Sequence, residues 1–184
     1  MIGKKLVQIV AVAAALAVIA NSADAQRSRA RNTNLRDGFW FSGGLGYGSL
    51  GCDNCGSREG SLSADVSVGG TLSQRWLVGA GTSAWSKTDQ GARLTVATLD
   101  ARVRFYPSTT GGFFLTGGIG AGSMRGDVGG ISATETGVGT ILGLGWDIRI
   151  ASNASVTPYW NGFAMKNSNV DANVGQAGIA ITLH

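Results

Sequence analysis

The stretch that decides the fold runs from Thr136 to Ile150 and reads TGVGTILGLGWDIRI. From Val138 onward every second residue is apolar or threonine, and glycines, Ile141 and two charged residues fill the alternate positions. Successive side chains of a β-strand point to opposite faces, so the pattern predicts a strand with one apolar face and one small or charged face. At about 15 residues the stretch is much longer than the usual soluble strand of roughly 5–6. Its apolar face therefore needs a second sheet or lipid to cover it.

The first 25 residues have the features of a secretory signal peptide. Two lysines precede an apolar run, Leu6–Ala20, and the Ala-Asp-Ala sequence at 23–25 offers small residues at the cleavage positions. A retained membrane helix would need about 20 apolar residues, more than this run supplies. We expect export and cleavage, which leaves a basic, disordered leader over residues 26–37 and one folded domain over residues 38–184.

The excess basic charge of the mature chain is confined to that leader. The net charge is +4, to which the signal peptide contributes +1, and from Gly38 onward nine basic residues balance nine acidic ones. The mature excess comes from Arg27, Arg29, Arg31 and Arg36, partly offset by Asp37. A short basic segment of this kind is typical of a disordered tail, with contact to anionic head groups or another envelope polymer as the alternative. We expect no nucleic-acid partner.

From Gly38 the chain divides into eight segments with strand periodicity, separated by turn-rich stretches. No segment has an apolar period near 3.6, and thirty glycines also argue against long helices. The segments are Gly38–Leu50, Ser61–Leu72, Trp76–Lys87, Arg93–Tyr106, Gly112–Met124, Thr136–Ile150, Ser155–Met165 and Val174–Leu183. We therefore predict an all-β fold, an eight-stranded antiparallel up-and-down transmembrane barrel.

The connections are predicted to alternate in length, as they do in outer-membrane barrels. Short turns follow the second, fourth and sixth segments. Longer loops follow the others, namely Gly51–Gly60, the loop around Asp89 and Gly91, Arg125–Glu135 and Lys166–Ala172.

Aromatic residues collect at the end of the segments where the short turns lie. Eleven of the fourteen aromatics fall at this level, whereas a soluble sandwich would spread them through its core. Membrane barrels carry such residues as a girdle between hydrocarbon and water. The predicted girdle is Phe39, Phe41, Trp76, Phe105, Phe113, Trp146, Tyr159 and Trp160. The pattern leaves the phase of the seventh segment open, because Pro158, Tyr159 and Trp160 interrupt it.

Charged residues within the segments share the face opposite the apolar one. On the lipid face an Arg near the midplane would cost about 2–4 kcal/mol. The interior is therefore predicted to hold a balanced charge network of Asp65, Asp100, Arg102, Arg104, Asp147 and Arg149. A solvated sheet face is the alternative, but it would require neither the balance nor the uniformly apolar opposite face.

Two neighbouring segments also place a row of glycines on the inner face. They are Gly118, Gly120, Gly122, Gly137, Gly139, Gly143 and Gly145. Glycine there makes room for large side chains from the far wall. The alternative is a small cavity or water path along that wall, which would make the barrel a narrow conduit.

Motifs for chemistry are scarce. Cys52 and Cys55 lie three residues apart in a glycine-rich loop, and in an oxidising compartment a local disulfide is the expectation. The single histidine is His184, the last residue, so neither a metal cluster nor a Ser-His-Asp triad is indicated. We expect no enzyme activity, no metal and no cofactor.

The signal peptide, eight alternating segments, aromatic girdle and terminal strand together resemble the small outer-membrane β-barrel proteins, the class that includes the membrane domain of outer-membrane protein A. The resemblance implies a bacterial outer-membrane location and contact with lipid and the barrel-assembly machinery. Members usually finish with an outward-facing Phe that this machinery recognises, whereas here Leu183 takes that phase and His184 follows.

Members of this class include structural proteins, adhesins, narrow solute conduits and a few lipid-modifying enzymes, and a shared fold does not choose among them. We expect a monomeric barrel with a largely plugged interior that acts structurally or in surface interaction through its four longer loops, toward an extracellular ligand that the sequence does not identify. The alternative is a narrow conduit for small solutes.

Overall fold

The computed structural model describes residues 36–52, 57–168 and 170–184. They form eight long antiparallel strands: β1 Phe39–Cys52, β2 Glu59–Ser73, β3 Trp76–Asp89, β4 Ala92–Phe105, β5 Phe113–Val128, β6 Ile131–Trp146, β7 Ala154–Lys166 and β8 Asp171–Leu183. A two-residue strand, Ile148–Arg149, continues β6 along β7 after an interruption at Asp147. Among these residues no helix is long and apolar enough to cross a membrane.

The strands close into a ring. Each pairs antiparallel with its neighbours in the chain, and β1 also pairs with β8 from Phe41↔Leu183 to Cys52↔Ala172. Hydrocarbon offers no partner to a backbone N–H or C=O group, so spanning strands must close in this way. The predicted eight-stranded antiparallel barrel is confirmed.

The outer face carries an apolar belt. In β6 the side chains of Val138, Leu142, Leu144 and Trp146 point outward, and Leu142 is 71 % exposed. The same phase runs through the neighbouring strands, where the belt occupies Ala97–Phe105, Phe113–Ala121 and Val138–Trp146. Nine residues per strand match the roughly 9–11 that a tilted strand needs to cross the bilayer core.

The strands continue beyond this belt. We call the end of the barrel with Phe39 and Leu183 the terminal end and the opposite end the distal end. At the distal end β3 and β4 are joined by Gln90–Gly91, and β5 and β6 by Gly129–Gly130. All four of these residues have positive φ, between 46° and 87°, the conformation of the two-residue hairpin turns that match strand twist.

The prediction of long loops around Asp89 and over Arg125–Glu135 was therefore wrong. Polar side chains alternate through these stretches because the strands stand in water there, and a solvated strand lacks the apolar face that a sequence pattern detects. The expected alternation of loop length also fails, since residues 106–112 and 147–153 make two of the longer connections at the terminal end.

We predict that Gly130→Ala destabilises the barrel by about 1–2 kcal/mol, the cost of a left-handed conformation for an L-residue. Gly130 has φ +87°, whereas Gly126 in the same hairpin is extended and has no atom within 4 Å of the position that a Cβ would take. The free energy of unfolding, measured in urea on refolded protein, should fall for Gly130→Ala and stay near wild type for Gly126→Ala. Equal values for the two variants would contradict the turn assignment.

Candidate functional site: the barrel interior

A buried, mainly aromatic layer lies inside the barrel at the terminal end. It consists of Trp40, Leu77, Tyr106 and Phe114, which are at most 2 % exposed. Trp40, Leu77 and Phe114 point inward from β1, β3 and β5, and Tyr106 follows β4 directly. The rings of Tyr106 and Phe114 lie 5.3 Å apart, a favourable separation for aromatic pairs. We call these four residues the terminal plug.

A second buried apolar layer lies inside the barrel nearer the distal end. Its large members are Leu50, Trp85, Val96, Ile141, Phe163 and Val174, all buried. The indole Nε1 of Trp85 donates to the Gly48 carbonyl at 3.0 Å, so the ring buries no unpaired donor. We call this layer the distal plug.

Between the plugs lies an ion cluster centred on Arg102. Its guanidinium binds Asp100 through Nε at 2.8 Å and Nη2 at 2.9 Å, and binds Asp65 through Nη1 at 2.7 Å. The Ser83 hydroxyl donates to Asp65 at 2.7 Å. Asp100 and Arg102 share the inner face of β4, and Arg102 reaches Asp65 on β2 by passing over Gly81 of β3, where a Cβ would meet the guanidinium. The cluster therefore depends on a glycine opposite it.

Arg104 lies inside the barrel but makes no ion pair with the cluster. Its guanidinium stacks between the rings of Trp40 and Phe114, 4.5 and 4.8 Å from their centroids, and Nη2 donates to Ser67 Oγ at 2.9 Å. Cation–π contacts of this kind are stronger where water is excluded. Arg104 thus joins the terminal plug to the polar centre.

Asp147 accepts three hydrogen bonds at the terminal end. Tyr106 Oη and Thr157 Oγ1 donate at 2.8 and 2.7 Å, and His184 Nε2 lies 3.3 Å away. Burial acts to raise the pKa of Asp147, but the bonds from His184 and Thr157 outweigh it and hold the pKa below its usual value. His184 was not among the predicted site residues, and its position as the last residue gave no signal of this contact.

Arg149 does not join the interior charges. It lies past the interruption at Asp147, is exposed, and donates to the Ser152 carbonyl at 3.2 Å. Arg149 lies beyond the terminal plug, where the interior of the barrel has already ended. Strand periodicity predicts which face a residue occupies but not where the interior ends. The six predicted network residues therefore fall into a central cluster, a stacked Arg104, an Asp147 site and an exposed Arg149.

Arg36 supplies a third buried base instead. Its guanidinium lies 3.5 Å from the Tyr106 ring centroid and donates to the carbonyls of Gln74, Thr109 and Gly111. The Gln74 side chain in turn pairs with the Arg36 backbone N–H and C=O at 3.0 and 2.9 Å. Burial lowers the pKa of Arg36. Arg36 was assigned to a disordered leader, and that boundary was wrong for this residue, while residues 26–35 lie outside the described part.

The predicted girdle residues lie at the terminal end, and seven of the eight face outward or sit at the outer surface. Trp76 packs against Phe105, with ring centroids 4.6 Å apart, and Phe113 against Trp146, at 6.0 Å. Phe39, Phe41 and Trp160 complete the outer set. Tyr159 does not lie in the girdle, as was predicted. Its side chain is buried inside the barrel, because Gly44 of β1 and Gly178 of β8 leave room for its ring.

The predicted disulfide cannot be placed. Cys55 and the side chain of Cys52 lie outside the described residues, and the pair stays a prediction. No group of three or more potential metal ligands occurs in the described part of the chain.

The polar centre leaves little free space. A cavity of about 10 Å³ lies between Ser42, Asp65, Arg104, Tyr159 and Asn161. That volume accommodates about one water molecule. Several buried polar atoms around it, among them Arg104 Nε and Nη1 and Asn161 Oδ1, have no partner among the described protein atoms.

Large side chains occupy the space over part of the glycine row. A Cβ at Gly122 would meet Met165, one at Gly143 would meet Asn161, and one at Gly145 would lie 2.5 Å from Phe114. Gly120, Gly137 and Gly139 instead lie against neighbouring backbone carbonyls. Open space along this wall is therefore small.

We predict that Arg102→Leu destabilises the barrel by about 3–5 kcal/mol, because it leaves two buried carboxylates without their counter-charge. Arg58→Leu is the control, since the Arg58 side chain is exposed and binds Ser49 and Asn173 at the distal rim. Urea midpoints of the refolded variants measure the difference. Equal midpoints would show that the central cluster does not stabilise the fold.

We predict that Gly145→Ala destabilises by about 1–3 kcal/mol through overpacking against Phe114. Gly70→Ala, on the outer face with no atom within 4 Å of its Cβ position, should be near neutral. Heat-dependent mobility in SDS gels, compared over a temperature series, ranks the two variants. A Gly145→Ala barrel as heat-stable as Gly70→Ala would indicate open space along the glycine row.

Comparison with known proteins agrees with this architecture. Residues 11–182 match the family model described as outer membrane protein beta-barrel domain. Among solved structures, Neisserial surface protein A superposes with a TM-score of 0.60 at 12 % identity, over 79 % of this chain and 96 % of that one. Ail, the attachment invasion locus protein of Yersinia pestis, superposes with a TM-score of 0.57 at 14 % identity, over 80 % of this chain and 100 % of that one.

At these identities the two structures show the fold alone, and a search of curated proteins gives no match. The family match covers nearly the whole chain and confirms the resemblance drawn from the sequence. The closed ring, the nine-residue apolar belt and this match lead to one conclusion: the chain belongs to the outer-membrane protein β-barrel family and resides in the bacterial outer membrane.

Proposed function

We propose that this protein is a sealed outer-membrane barrel with a structural or surface-interaction role, whose working surface is its distal end. The observation that carries the proposal is the filling of the interior by the terminal plug, the Arg102 cluster and the distal plug. An eight-stranded barrel is just wide enough for side chains to fill. The cavity between the plugs holds about one water molecule, so we expect no path for a hydrated ion.

The alternative of a narrow conduit rested on the inward glycines. Met165, Asn161 and Phe114 weaken this alternative, because they occupy the space over three of these glycines. Conduction would require both plugs to move, because each separately closes the lumen. We therefore favour the sealed barrel.

Catalysis is not part of the proposal. The one imidazole of the chain belongs to His184, and its pair with Asp147 is only 6 % exposed on both side chains. A general acid or base must come within hydrogen-bond reach of its substrate, and Tyr106, on whose ring Arg36 stacks, already donates to Asp147. The pair thus fits a role in closing the terminal end.

The partners follow from the outer surface. Lipid covers the apolar belt, and the terminal end is proposed to face the periplasm. We further propose that the protein is a monomer within its membrane and that the assembly machinery reads β8 through Leu183, which faces outward and is 41 % exposed.

We predict no stepwise ion conductance when refolded wild-type protein is inserted into planar bilayers. Trp85→Ala, which removes the largest ring of the distal plug, should also be silent because the terminal plug remains. A general porin measured in the same buffer controls for insertion. Reproducible channel steps from the wild-type protein would overturn the sealed interior and favour the conduit.

A further inference from the structure

Beyond the apolar belt, four strands stand together as a sheet at the distal end. This distal sheet comprises Ser86–Asp89 of β3, Ala92–Val96 of β4, Gly122–Val128 of β5 and Ile131–Gly137 of β6. Unlike the barrel below it, this sheet is not closed by any strand of the described part of the chain. It has two edges, one on β3 and one on β6.

The β3 edge is guarded. Lys87 forms an ion pair with Glu59 of β2, and Ser61 Oγ donates to the Ser86 carbonyl at 2.7 Å. A lysine and a neighbouring strand end are common means of blocking an edge against further pairing.

The β6 edge has no comparable protection over most of its length. Pairing with β7 begins only at Val138↔Lys166, so within the described residues Ile131–Gly137 has a strand partner only on its β5 side. It contains no Lys or Pro, and its ladder with β5 runs without a bulge. Asn167 covers the base, where Nδ2 donates to the Thr136 carbonyl at 3.1 Å and to Glu135 Oε2 at 3.2 Å. The exposed edge is therefore Ile131–Thr134.

The hairpin turn fixes which backbone groups point outward from this edge. Val128 and Ile131 flank a two-residue turn and face each other, so their N–H and C=O groups bond within the hairpin. The direction alternates along the strand, which turns the N–H and C=O groups of Ser132 and Thr134 toward the open side. The bond from Asn167 to Thr136, the next residue in this phase, agrees with that assignment.

We propose that this edge pairs antiparallel with the same edge of a second copy held in an apposed membrane. Centred on Ala133, the register places Ser132 opposite Thr134, so both outward-facing residues exchange backbone hydrogen bonds with their counterparts. Ala133 then faces Ala133 in a non-hydrogen-bonded pair, where Cα atoms approach to about 4.5 Å and small side chains fit. Glu135 meets Ile131 of the other copy, so no like charges are opposed.

The direction of the strands identifies the apposed membrane. Copies in one membrane carry β6 in the same direction, whereas this register requires opposite directions. With Ala133 at the centre, the two Val138 residues at the belt boundaries are ten residues apart, about 33 Å along the strands. One short pairing is weak, so adhesion arises from many copies acting together.

This inference rests on the surface-interaction role proposed above and names its partner as the protein itself. The test uses mature protein refolded into vesicles, in a Cys52→Ser, Cys55→Ser background. Under mild oxidation Ala133→Cys should form disulfide-linked dimers, because it faces its own symmetry mate. Ser132→Cys, which faces Thr134, should not. Equal cross-linking of the two variants would indicate random collision and overturn the register.

A second measurement follows vesicle clustering by light scattering. Thr134→Pro removes a donor on the open side and should abolish clustering by the wild-type protein, whereas Thr88→Pro, the equivalent outward position on the guarded β3 edge, should leave it unchanged. Both variants are checked for the compact, heat-shifted species in SDS gels. Clustering that survives Thr134→Pro would overturn self-pairing. A wild-type protein that never clusters would also overturn it, and this is the result expected if the strand of another protein binds the edge. If planar bilayers show no ion conductance, the proposal of a sealed interior holds whatever the clustering result. The two proposals can therefore fail independently.

Discussion

A backbone amide without a hydrogen-bond partner cannot be accommodated in hydrocarbon, and the rest of this structure depends on that constraint. It requires β1 to return to β8, and ring closure with eight strands sets the width of the lumen. Because that width is fixed, a large inner side chain requires a small residue on the wall that it faces. Residues such as Gly81 and Gly145 follow from this requirement, since Arg102 and Phe114 take the volume that a side chain there would need.

The same enclosure governs the charges. A buried guanidinium is tolerated only when hydrogen bonds and counter-charges replace its water. Arg102 obtains two carboxylates, while Arg104 is placed against two aromatic faces and one hydroxyl. Asp147 and Arg36 extend this logic to the terminal end, where Tyr106 contacts both. The interior thus combines two apolar layers with a polar centre in which two bases and two acids balance.

Sequence reasoning succeeded where lipid imposes a strict alternation of side chains. The outward phase of β6 and the inward phase of Asp100 and Arg102 could be read directly, because charge on the lipid face is excluded. Sequence reasoning failed where lipid no longer excludes charge from one face of a strand. Tyr159 is flanked by Pro158 and Trp160, which share the opposite face of β7, so both faces carry a large ring and periodicity gave no phase. Only the glycines of β1 and β8 on the adjoining wall decide it. Arg36 and His184 reach their partners across the ends of the barrel, contacts that no local pattern records.

The two distal stretches predicted as loops, around Asp89 and over Arg125–Glu135, matter most for function because both are strands. Above the belt, lipid no longer demands closure, and β6 leaves the side of β7 at Val138 while keeping its pairing with β5. The constraint that eliminates edges inside the membrane is therefore absent where the molecule meets its surroundings. An edge maintained in water by regular pairing on one side is a template for a strand on the other. Next to the two-residue turn Gly129–Gly130, Ser132 and Thr134 present backbone groups that are available for recognition at the distal end.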